Sequence, residues 1–172
     1  MDTELLSDAT SDVQAERSGY IPVWVFCLLS FLSFGLYDVY WFVINWRYIR
    51  DKEDGNYNAV LKGIFPFIFG YSLFRKFYRI ATENGYKGNP PLFILLVLYI
   101  TCRLFVYFDL GLISMFAFVF LIPVIQMMNF YYLAQPNYRH RNGFTKGDGI
   151  FLAIVWGIII LLIFVEVNTR MK

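Results

Sequence analysis

Residues 149–165 read GIFLAIVWGIIILLIFV, seventeen in succession without a polar side chain. A bilayer core of about 30 Å needs roughly 17–25 helical residues at about 1.5 Å each. The stretch therefore predicts a transmembrane helix, continued to about residue 167. Two more runs upstream meet the same length. Leu92–Phe108 has 17 residues, interrupted by Thr101 and Arg103, and Leu110–Ile125 has 16 before Gln126, with helical continuation to Leu133. The turn between these two, around Asp109 and Gly111, leaves almost no chain to separate them, which predicts antiparallel neighbours.

The composition of the whole chain agrees. Of 172 residues, 58% are apolar and 16% charged, where a soluble domain carries about 45–50% and roughly 25%. The length fits one domain. Two cysteines and one histidine exclude a disulfide scaffold and the common zinc clusters. A net charge of +2 is too near balance to point to nucleic acid. No serine, histidine and acid group together at membrane depth, and Gly143, Gly147 and Gly149 lack the Lys-Ser/Thr of a phosphate-binding loop. The expectation is a protein that is not an enzyme, with no catalytic, cofactor-binding or metal-binding residues.

Residues 1–19 hold five acids against one base, Arg17, and few large apolar side chains. They read as a disordered acidic tail, without the basic start of a signal peptide. Trp24, Val25 and Phe26 before Cys27 are too bulky for a lipoprotein cleavage site. Residues 20–168 then form a single helical membrane domain. Its first apolar segment, Tyr20–Trp46, has two readings. One is a single tilted helix about 40 Å long. The other, preferred, breaks at Gly35 into Tyr20–Phe34 and Asp38–Arg50, with Asp38 as N-cap. Each half is too short to cross alone, so the pair would be bent or re-entrant.

Residues 47–90 carry eight bases and 134–148 carry three, together 11 of the 15. By the positive-inside rule both connections face the cytoplasm. Gly63–Phe74 within the first is apolar but too short to cross. From there Phe74, Phe77, Tyr78 and Ala81 share a helical face opposite Arg75, Lys76 and Arg79. That pattern, over about 58–82, predicts a basic amphipathic helix in the headgroup plane, its aromatics in lipid and its bases near anionic headgroups. Tyr37, Tyr40, Trp41, Trp46 and Tyr48 read as an interfacial aromatic belt.

Ionisable and polar groups within apolar spans are costly and default to functional or packing candidates. Asp109 and Glu166 lie at ends that water reaches. Arg103 is expected to snorkel past Tyr107, with an Asp38–Arg103 pair between helices as the alternative. Pro123 is expected to kink Leu110–Leu133 and leave a small polar site beside Gln126 and Asn129, which serve as packing contacts. Cys27 and Cys102 read as small packing residues and His140 as a loop residue.

Phe34-Gly35-Leu36-Tyr37, Tyr40-Trp41-Phe42 and Asn45-Trp46 resemble the FGLYxxYWFxxNW opening of a bacterial family of small multi-pass inner-membrane proteins of unknown function. Leu73-Phe74-Arg75-Lys76, Asn129, Pro136 and Asn142-Gly143-Phe144 are similar to its later, looser positions, so the likeness covers about residues 22–165. The acidic tail and Tyr20-Ile21-Pro22 depart from the basic residue that often opens the family's first apolar run. The resemblance implies a bacterial inner membrane and supplies no activity.

The whole reads as an all-α integral membrane protein: three transmembrane helices, a bent or re-entrant first segment, and a basic interfacial helix. The expected function is contact with anionic lipid headgroups, a membrane-protein partner or a second copy, as an accessory subunit or an immunity-type protein. A small oligomeric transporter or lipid-handling protein, working around Asp38, Arg103 and the Pro123–Asn129 kink, is the alternative.

Overall fold

A computed structural model describes residues 20–135 and 143–170. Among these every regular element is helical. The acidic tail, His140 and the bases Arg139 and Arg141 lie outside the described residues.

The first apolar segment is two helices, α1 (Val23–Leu32) and α2 (Leu36–Lys52). The N–H of Gly35 donates to the Ser30 carbonyl at 2.8 Å and that of Phe34 to Phe31 at 3.2 Å. This double closure is how a helix ends on a left-handed residue, and Phe34 (φ 54°) and Gly35 (φ 84°) both adopt that conformation. Ser33 Oγ then accepts from the Tyr37 N–H at 2.9 Å, tying down the start of α2. The chain folds back on itself, since the Phe26 ring lies 5.5 Å from Trp41 and 6.0 Å from Tyr37. The break at Gly35 is therefore present, and the single-helix reading is overturned. Asp38 is not the N-cap expected of it. It sits inside the first turn of α2, fully buried.

α3 (Ala59–Ile64) is capped by Asn58, whose Oδ1 accepts from the N–H groups of Val60 and Leu61. It lies close on α2, because a Cβ on Gly63 would meet the Val43 Cα at 2.6 Å. Pro66 then opens α4 (Pro66–Glu83), in the first turn where its missing N–H costs nothing. Pro66 thus starts one 18-residue helix that unites the apolar and basic halves of this region.

α5 (Leu92–Leu104) continues through a 3-10 turn, Phe105–Phe108, to Asp109 in a left-handed turn. The return is Gly111–Leu133, made of a short α6 (Gly111–Ser114), a 3-10 turn (Ala117–Leu121) and α7 (Ile122–Leu133). It packs against α5 as a tight antiparallel neighbour. Pro123 does not kink the middle of a regular helix. It lies in the first turn of α7, and the irregular winding precedes it. Proline's ring crowds the carbonyl four residues back, so the tighter turn forms ahead of it.

α8 (Lys146–Arg170) opens on a reciprocal cap. Asp148 Oδ2 accepts from the Thr145 N–H at 2.8 Å and hydroxyl at 2.9 Å, and the Asp148 N–H donates back to Thr145 Oγ1. Gly111–Leu133 and Lys146–Arg170 are each long and apolar enough to cross a membrane. They differ in surroundings: 44% of the apolar window of the first is buried within the protein, against 6% for α8.

The core lies between α1, α2, α4 and α7 and is largely aromatic. Phe26, Phe42, Trp46, Phe74, Phe77, Tyr131 and Tyr132 are fully buried. Phe42 stacks on Phe74 at 5.8 Å and Tyr48 on Phe77 at 6.1 Å. Two expectations are corrected here. The α4 aromatics Phe74 and Phe77 face protein rather than lipid, with Ala81 buried beside them. Of the proposed belt, Tyr37, Trp41 and Trp46 are core residues, and Tyr40 alone is well exposed. A helix with one apolar face looks the same in sequence whether lipid or another helix covers it.

Candidate functional site

Two groups of side chains stand apart from ordinary packing. The first joins the tip of the α1–α2 hairpin to α5. The Arg103 guanidinium pairs with the Asp38 carboxylate and also donates to the backbone carbonyls of Phe34 at 3.2 Å and Ser114 at 3.4 Å. Its carbon lies 5.6 Å from the centre of the Tyr99 ring. The Ser114 hydroxyl donates to the Arg103 carbonyl at 3.3 Å, and Cys102 Sγ to that of Ile113. Arg103 thus fastens three segments: the hairpin turn, the end of α5 and the start of the return.

Local sequence makes this reach feasible. The guanidinium passes over Gly35, at a place where any Cβ would collide with it. Glycine is needed there twice, for the left-handed backbone and for the cation. Arg103 therefore pairs rather than snorkels. Asp38 is wholly buried and Arg103 keeps 22% of its side chain exposed. Paired in this way, both charges avoid the cost that a lone buried ion carries. The Ser30 and Tyr99 hydroxyls lie beside the same carboxylate.

Gln126 and Asn129 do not join this cluster. Gln126 is exposed. Asn129 is buried and clasps the backbone of Ile21, with Nδ2 donating to its carbonyl at 2.7 Å and Oδ1 accepting from its N–H at 3.3 Å. That contact anchors the start of the hairpin on α7. Asp109 occupies its turn, and Glu166 pairs with Arg170 one helical turn on.

The second group gathers at the far end of α2. Lys76 Nζ meets Glu53 at 2.5 Å and Arg79 lies 3.7 Å from the same carboxylate. Arg79 also approaches Glu83 at 4.0 Å, and Arg75 is exposed on the outer face. Of the three expected headgroup ligands, two are thus drawn to Glu53 and one points outward. Beside them Lys52 Nζ donates to the Tyr131 hydroxyl at 2.7 Å, itself 2.7 Å from that of Tyr48.

Sequence reading passed over Lys62. Its ammonium sits 3.6 Å from the centre of the Tyr57 ring, 4.5 Å from Trp46 and 5.7 Å from Phe69. Burial against these rings, and then the charge of Lys76, push its pKa below the usual lysine value. Burial likewise pushes the Tyr57 phenol up to about 12, with Glu53 adding to the effect. The one available signal was spacing: Lys62 stands in an apolar stretch with aromatics on both sides, a pattern common to any membrane-surface loop.

Comparison with protein-family models, with curated proteins and with solved structures gave no match.

Proposed function

We propose that the chain is a multi-pass protein of the bacterial inner membrane that acts without catalysis, through contacts with lipid and with a membrane-protein partner or a second copy. In this reading 92–108, 110–133 and 149–167 cross the bilayer. The α1–α2 hairpin enters from the cytoplasmic side and returns to it. Connections 47–90 and 134–148 face the cytoplasm, where their bases meet anionic headgroups.

The observation that carries the proposal is the state of α8. The chain entering it and its first half pack on the hairpin, through Phe144 against Trp24 at 6.1 Å, Phe151 against Tyr40 at 5.4 Å and Trp156 against Phe34 at 5.9 Å. Beyond Trp156 its apolar side chains are bare, with Ile160, Leu162 and Phe164 each 63% exposed. A helix this apolar is not stable in water, so lipid or another chain must cover it. The hairpin reaches only to about Trp156, roughly ten residues or 15 Å into α8, as a re-entrant element would.

The transporter reading gains less support. Its polar residues are dispersed: Arg103 and Asp38 satisfy each other, Asn129 is spent on Ile21, and Gln126 is elsewhere on the surface. The test is reconstitution of the purified chain alone in liposomes, beside gentle detergent purification with mass spectrometry of what accompanies it. The proposal expects a stoichiometric companion, protein or lipid, and no flux of solute or lipid. Substantial flux by the isolated chain overturns it.

A further inference from the structure

The corner where α3 lies on α2 holds hydrogen-bond donors with nothing to receive them. The Lys62 ammonium has three rings around it and no acceptor or carboxylate within bonding distance among the described residues. Beneath it the Trp46 indole N–H, on a side chain that is fully buried, and the Tyr57 hydroxyl also lack partners. Unmet buried donors of this kind cost stability unless something answers them. A cation alone cannot, because it brings no acceptor oxygen. An anion can. The carboxylate that faces this corner from the end of α2, Glu53, is already taken by Lys76 and Arg79, so it does not answer the Lys62 ammonium.

We propose that this corner is a phosphate-binding site, in which Lys62 takes the charge and Trp46 Nε1 and Tyr57 Oη donate to phosphate oxygens. Lys62 is partly exposed and lies over the two rings that carry the buried donors, so a phosphate meets the ammonium first. As it draws Lys62 outward, its oxygens come within reach of the donors beneath. The side chains flanking the corner on α3 and the start of α4 are bare and apolar: Leu61 (52% exposed), Ile64 (49%), Phe67 (57%) and Ile68 (58%). Acyl chains would lie along them, which makes a phospholipid headgroup the natural bearer of the phosphate. This rests on the membrane placement proposed above.

The experiment is native mass spectrometry of the full chain, purified and delipidated in detergent. Phosphatidylglycerol and a diacylglycerol of the same chains but without phosphate are titrated in separately. The expected result is binding of phosphatidylglycerol alone. Lys62→Met weakens it about fivefold, the loss of one base against an anionic lipid, and Trp46→Phe, which keeps the ring and removes the donor, weakens it severalfold. Arg170→Met, at the far end of α8 from this corner, leaves it unchanged. Competition by millimolar inorganic phosphate would identify a soluble phosphate as an equal occupant of the same site.

Equal loss in Arg170→Met and Lys62→Met, or equal binding of the two lipids, overturns the site. Should Lys62→Met fail to fold, acetylation of Lys62 in the unaltered chain decides instead: phosphatidylglycerol protects it if the site exists and does not if it is absent. A chain that fractionates away from membranes refutes the membrane placement. One that stays inserted, with lipid binding indifferent to Lys62, refutes this site alone.

Discussion

Replacing Arg103 with methionine keeps much of the side chain's bulk and removes its charge. The Asp38 carboxylate is then left with 0% exposure and stripped of its cation. Breaking a buried pair from one side costs about 3–5 kcal/mol. Asp38→Leu does the reverse damage more gently. Arg103 is 22% exposed and keeps the carbonyls of Phe34 and Ser114, so the loss is about 2 kcal/mol. The double variant contains neither orphan charge and loses only the tether, about 1–2 kcal/mol. The two substitutions should therefore be strongly non-additive, with a coupling of about 3–6 kcal/mol.

The assay is reversible unfolding in mixed micelles, followed by helical circular dichroism, for the four proteins of the cycle. Membrane abundance is measured alongside. Additivity within about 0.5 kcal/mol would falsify the view that these groups are one structural unit. Loss of a reconstituted activity in Arg103→Ala at full abundance would point the other way, to a pair that serves transport.

Gly35→Ala should destabilise by well over 1 kcal/mol, since the new Cβ needs a left-handed backbone and strikes the Arg103 guanidinium; combined with Arg103→Met, the steric part of that loss disappears in the same unfolding assay. Phe74→Ala, in the stack with Phe42, should cost about 3–5 kcal/mol, whereas Phe67→Ala, 57% exposed on the same helix, should change micellar stability little. Equal effects would mean that α4 does not rest on the α2–α7 core. Tyr57 should ionise late in an ultraviolet titration, near pH 12. Its folded pKa lies above the ordinary value of about 10, so its stabilising contribution is whole below pH 10 and is lost as pH climbs from 10 through 12. Tyr57→Phe should remove that part of the alkaline loss.

The parts of the fold legible in the sequence were those set by local rules. Seventeen apolar residues at 149–165 predict a long helix whatever surrounds them, and Gly35 marks a break because a left-handed turn favours glycine. The location of Pro123 was visible and its effect was not, because proline is harmless in a first turn and disruptive in a middle one. Only the neighbouring winding tells which applies. Asp38 and Arg103 were both conspicuous as charges in apolar runs, but they are 65 positions apart. Snorkelling and pairing differ only in where the hairpin tip lies, which no local pattern encodes.

The aromatic residues show the deeper limit. Their periodicity on α2 and α4 was plain, and the same periodicity serves a lipid-facing belt and a protein core alike. What separates the two is the number of apolar faces compared with the protein available to cover them. α4 and α2 cover each other, with α7 closing the third side through Tyr131 and Tyr132. This consumes the faces whose sequence looked most like lipid anchors. α8 is left over, long and apolar, with nothing among the described residues against its second half. The surfaces that the rest of the described chain leaves uncovered are then opposite to the first expectation. They are the plain aliphatic end of α8 and the unassuming Lys62, rather than the aromatic motif that draws the eye in the sequence.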